Sequence, residues 1–125
     1  MAITHGPATR DAVCNAVVDR LDLGSGTSAG RLVFQTAASA AVATLPLSNP
    51  AFGNASAGVA TANSITSDTN AAGGTTTKFE LRDRDSVAVI LGSVGTSGSD
   101  INLSSVIIGA GDTVTVSSLT YTAMP

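Results

Sequence analysis

From Gly30 onward the sequence never runs far before meeting a turn former. Short apolar-alternating stretches such as "GRLVFQTA" (30–37), "AVATLPLS" (41–48), "TKFELR" (77–82), "VAVILGSV" (87–94) and "GDTVTVSSLTYTAMP" (111–125) are separated by glycine, serine, asparagine and proline. Seven or eight short strands at intervals of roughly 8–15 residues fit an antiparallel β-sandwich or jelly roll. A parallel α/β sheet would need a helix after each strand, and the pattern offers none.

Composition narrows the core. The 125 residues include 20 Ala, 13 Gly, 15 Ser and 16 Thr, against four aromatics, Phe34, Phe52, Phe79 and Tyr121. At roughly 25 cal/mol per Å² of apolar surface, a core of such small side chains has few large contributors, so association with partners is expected to supply part of the stability. Length alone gives one domain.

Only the first part of the chain carries a helical period. In "ATRDAVCNAVVDRLDLGSG" the residues Val13, Ala16, Val17 and Leu21 recur at three and four, which predicts a helix over about 9–22. Thr9 is the expected N-cap, Asp11 the first-turn acid and Gly24 the C-terminal stop. Gly6 and Pro7 argue against an earlier start. The residues before the helix, Met1, Ala2, Ile3, Thr4, His5, Gly6 and Pro7, are therefore expected to form an extended arm, with one β-sandwich domain over 8–125.

Local strand patterns add detail. Pro46 places the strand at 41–48 on an edge or at a bulge, and "SNPAFG" is turn chemistry. A weak strand is expected near 59–66. Phe79 and Leu81 face one way and Lys78, Glu80 and Arg82 the other, as in a half-buried strand. The "RDRDS" turn then leads to "VAVILGSV", expected as a more fully buried partner. In the last stretch Val114 and Val116 fall on even positions, while Leu119, Tyr121 and Ala123 fall on odd ones. A bend at Ser117-Ser118 would keep both sets pointing inward.

The chemistry-bearing residues are few. The one histidine, His5, lies in the arm, whereas general acid–base work needs a fixed geometry. The one cysteine, Cys14, sits in the helical stripe and is expected as a buried thiol; one His and one Cys cannot build a metal site in one chain. Asp100, Asn102 and Ser104 have the alternate spacing of a calcium loop, but glycine is missing from the sixth position and Gly111 stands where the closing Glu belongs. "RDRD" (82–85) reads as a solvated turn rather than a glycosidase pair. "GAGDT" (109–113) lacks the following helix and lysine of a phosphate loop. The sequons at Asn54 and Asn102 carry little without a secretory signal. Catalytic, cofactor and metal residues are thus expected to be absent, and no enzyme activity is expected. A net charge of -3 with six scattered basic residues gives no nucleic-acid footprint. No apolar run suits a signal peptide or a membrane span, so synthesis in the cytoplasm without membrane insertion is expected.

The segments "THGPATRDAVCNAVVDRLD", "GRLVFQT", "NPAFGNASAGVATANSITSDT", "KFELRD", "GSVGTSGSDINLSS" and "GDTVTVSSLTYTAMP" resemble a group of small proteins encoded among the virion structural genes of tailed bacteriophages and prophages. The resemblance covers nearly the whole chain and contains no catalytic motif. It implies a virion component of the capsid decoration or cement type. Such a protein has a jelly-roll or related β fold and sits as a homotrimer on the outer surface of the capsid, bridging major capsid protein subunits. The alternative it implies is a tail- or fibre-associated module that binds another virion protein or the host surface. In the decoration reading the arm, Met1 to Pro7, is the expected contact with a neighbour, and Ile3 its apolar anchor.

Overall fold

A computed structural model describes residues 3–123; Met1 and Ala2 of the expected arm lie outside them. The chain is mainly β with one N-terminal helix, in agreement with the sequence. Helix α1 spans Pro7–Asp19 and continues as a single 3-10 turn, Arg20–Asp22. The strands are β1 (Arg31–Gln35), β2 (Ala41–Pro46), β3 (Val59–Thr61), β4 (Gly74–Thr75), β5 (Lys78–Arg82), β6 (Ala88–Gly95), β7 (Ile101–Asn102), β8 (Ile107–Ile108) and β9 (Thr120–Thr122).

The helix begins two residues earlier than the sequence reading placed it. Gly6 is the extended N-cap and Pro7 the first helical residue, a position where proline's missing N–H costs nothing and its fixed φ helps. The arm therefore loses Pro7 to the helix. Asp11 stands too far in for the helix dipole; its carboxylate instead accepts the backbone N–H of Gly58 at 2.6 Å. The buried stripe is also turned by one residue. Cys14, Val18 and Leu21 are buried, Val13 and Val17 flank them, and Ala16 is exposed. Cys14 acts here as an apolar residue, and counting it moves the stripe onto the observed face.

Five strands form one mixed sheet in the order β2-β1-β5-β6-β7. Its pairs are antiparallel except β6–β7, which run parallel at Val94↔Ile101 and Gly95↔Asn102. That pair is two residues long, and a single tight coil of chain joins its strands where a long parallel pairing needs a crossover. Two short antiparallel ladders, β3–β9 and β4–β8, complete the β structure. Leu32, Phe34, Leu45, Phe79 and Leu81 of the large sheet share one core with Cys14, Val18 and Leu21 of the helical region and with Phe52 and Ala60.

The two sides of the large sheet are finished differently. Pro46 ends β2, an outer strand as expected. Segment 66–73 covers its free side: Thr66 N–H donates to the Pro46 carbonyl, Gly73 N–H to that of Val42, and Thr44 N–H to Asp68 Oδ2. On the other side β7 covers only Val94 and Gly95 of β6. The expectation of a more fully buried strand at "VAVILGSV" is therefore wrong. Val94 alone is buried there, and Leu91 is 66% exposed.

The C-terminal stretch behaves as its alternation suggests. Val114 is buried and bridges Asp68, and Val116 is half-buried; Ser117 and Ser118 are exposed at a bend. Leu119, Tyr121 and Ala123 then turn inward along β9, so one chain serves two strand partners with both sets of apolar residues covered.

Candidate interaction surface

The polar signals resolve into structural duties. In the 82–85 turn, Asp83 Oδ1 accepts the N–H groups of Asp85 and Val87, each at 2.9 Å. Asp85 Oδ1 accepts those of Ser25 and Gly26 at 3.0 and 2.9 Å. These donors favour the ionised form and hold the Asp85 carboxyl below the ordinary carboxylate value. Two aspartates that each anchor a different piece of backbone do not face a common substrate.

The same holds for the calcium-like spacing. Asp100 Oδ2 accepts from the N–H and hydroxyl of Ser93, while Asn102 Oδ1 accepts Ser99 N–H and its amide donates back to the Ser99 carbonyl. These bonds pin the loop that carries the chain from β6 to β7. Asp112 accepts Gly109 N–H at 2.8 Å and so closes the "GAGDT" turn. Along β5, Arg82 Nε donates to Glu80 at 2.8 Å and Lys78 Nζ to the Ser39 hydroxyl at 2.6 Å. Among the described residues no group of three or more His, Cys, Asp or Glu side chains is placed to hold a metal.

Cys14 is fully buried, and its S–H donates to the Tyr121 carbonyl at 3.5 Å. Burial pushes its thiol up from the ordinary value, the opposite of what a nucleophile needs. Of the arm, Ile3, Thr4, His5 and Gly6 are exposed and form no helix or strand; Ile3 is 80% exposed.

What the structure does bring together is apolar. A groove of about 300 Å³ runs between β6 and β9, two strands that are not paired with each other. Its floor and walls include Phe52, Phe79, Leu81, Ile90, Leu91 and Tyr121. Tyr121 packs on the core and also borders the groove. Gly92 shapes this region: a Cβ there would stand 2.5 Å from Phe79 Cε1 and 2.8 Å from Asp100 Oδ2, so the bare backbone lets the ring lie across β6. A second, more polar cleft of about 480 Å³ lies along residues 100–120, walled mainly by serine, threonine and aliphatic side chains.

The groove was not foreseen from the sequence. The signal for it was the run "VAVIL" at 87–91, five apolar residues where a strand covered on one face needs only alternate ones. No protein family, curated protein or solved structure compared with this chain matches it.

Proposed function

We propose that the chain is a structural virion protein that decorates the outside of a phage capsid and holds neighbouring major capsid protein subunits together, working as a homo-oligomer. The observation that carries this reading is how the polar groups are used. The carboxylates of the three candidate motifs are spent on backbone N–H groups, while an apolar groove and the exposed residues 3–6 remain on the surface. A molecule so arranged acts by fitting other surfaces. The resemblance of its segments to phage virion proteins directs that activity to a particle, and a trimer bridging capsomers is the form it implies.

The mechanism is mechanical and involves no reaction. Each contact is weak, but copies fixed on a lattice bind multivalently, and the joint hold exceeds that of any one contact. A shell under internal pressure then needs more energy to part at its seams. The segment 3–6 is the part assigned to reach a neighbouring subunit.

The test is co-sedimentation with capsids that lack the protein. Because Gly6 and Pro7 begin the helix, the deletion should stop at His5. The shortened chain is expected to fold and no longer to coat capsids; undiminished coating would overturn the role given to this segment.

A further inference from the structure

We infer that the free edge of β6 pairs with the same edge of a second copy of this chain, antiparallel about a two-fold axis at Ile90. The direction in which each residue of β6 makes its hydrogen bonds leads there.

That direction is set by the bonds at the covered end of the strand. Val94 N–H donates to the Thr77 carbonyl, on the side of β5. Ser93 N–H donates instead to Asp100 Oδ2, and the Gly95 carbonyl accepts Leu103 N–H, both on the side of β7. Peptide groups alternate in direction along a strand. Even-numbered residues therefore face β5 and odd-numbered ones face out. Leu91 and Val89 turn N–H and C=O to the side that β7 leaves open, and among the described residues nothing of this chain meets them there. Beyond Val89 the ladder is irregular opposite Arg82, which ends the regular stretch.

The other edge of the sheet is treated differently. Segment 66–73 gives β2 hydrogen bonds from Thr66 and Gly73 and an acceptor in Asp68, and Pro46 ends the strand. β6 has no such cover, and Val87 to Ser99 contains no charged residue that would deter another strand. An open, uncharged edge of this kind is a template for strand addition.

Self-complementarity makes a second copy the occupant. Turned about Ile90, Leu91 lies opposite Val89 of the second copy, and Val89 opposite its Leu91. Each pair exchanges both N–H···O=C bonds, so the pairing uses every open group of the two residues in both copies. The side chains match as well. Leu91, 66% exposed, meets the aliphatic Val89 on one face, while Ile90, which lines the groove, meets its equal on the other. No charge meets its like at the axis, because Asp85 and Asp100 lie outside the paired stretch. A contact between identical patches closes at two copies, so it is separate from the three-fold contact that the resemblance implies, and it stands or falls without any capsid present.

Sedimentation velocity of the full chain over a range of concentrations is expected to show a monomer–dimer equilibrium. Leu91→Lys, at an exposed position where the fold is expected to survive, puts a charge into the paired edge and is expected to lose the dimer; circular dichroism checks the fold. Cross-linking under mild oxidation tests the register. Ile90→Cys stands opposite its equal in a pair without hydrogen bonds, at about 4.5 Å between Cα atoms, which is within disulfide reach. Val87→Cys, also at an exposed position, stands roughly 20 Å from its equal. Disulfide-linked dimers are expected from Ile90→Cys and not from Val87→Cys, with the fully buried Cys14 taking no part. A native chain that stays monomeric, Leu91→Lys dimers as stable as native ones, or a dimer that Ile90→Cys does not cross-link would each overturn the inference. Capsid coating by a chain that proves monomeric would leave the proposed function intact and remove this contact alone.

Discussion

The ring of Phe79 lies across Gly92, its partner on β6, so closely that a methyl group on Gly92 would stand 2.5 Å from Cε1. Phe79 is 5% exposed and packed in the core, so its ring has little room to retreat. Gly92→Ala is therefore expected to destabilise the fold by about 1–3 kcal/mol through overpacking. Gly53→Ala is the control, because a Cβ there meets only ordinary contact at 3.7 Å; its effect should stay within about 0.5 kcal/mol. Urea unfolding of both variants makes the comparison.

The helix is tied to the small ladder by side chains reaching backbone. Asp11 accepts Gly58 N–H at 2.6 Å and Arg10 donates to the Ala123 carbonyl at 3.2 Å. Gly58 is buried with φ +77, and a Cβ on it would fall 2.6 Å from Arg10 Cζ. Asp11→Ala leaves the Gly58 N–H without its acceptor and is expected to cost about 1–3 kcal/mol. Asp11→Asn, which keeps an acceptor oxygen, should recover most of that in the same unfolding measurement.

Asp85 sets a pH dependence. Its carboxyl is held below its ordinary value of 3.8 by the N–H groups of Ser25 and Gly26. A folded-state value below the unfolded one means that the contribution is fully present above the ordinary value. It is lost as pH falls through the lower, folded-state value. Stability measured against pH should therefore fall on the acid side with a steeper slope in the native chain than in Asp85→Asn, whose amide does not titrate. Parallel slopes would contradict the role of this carboxylate.

Cys14 reports on the core. Its thiol is inaccessible and pushed upward by burial, so a thiol reagent at mildly alkaline pH should leave the native protein unlabelled and label it fully in denaturant. Rapid labelling of the folded chain would show that α1 does not cover the core as described.

The strands were legible where side chains alternate between two environments. Phe79 and Leu81 against Lys78, Glu80 and Arg82, and the change of parity between Val116 and Leu119, both come out in the fold, because strand period and burial express the same geometry. Gly6-Pro7 reads locally as a barrier to a helix, yet proline at the first helical position is favourable, so the helix starts at Pro7. The run at 87–91 misled for a different reason. An apolar strand is ordinarily covered on both sides, and nothing local to Val89, Ile90 or Leu91 says that β7 stops at Val94. That is set by the Asp100–Ser93 contact seven residues away. The groove, made by strands 30 residues apart in sequence, is a tertiary feature for which the sequence held only the surplus of apolar residues.

Gold-labelled antibody against the protein, applied to intact particles from cells that carry its gene, tests the virion assignment most directly. Label over the heads, lost when residues before Gly6 are removed, is the expected result. Label confined to tails would move the protein to a tail or fibre module, and particles without label would contradict a structural role in the virion.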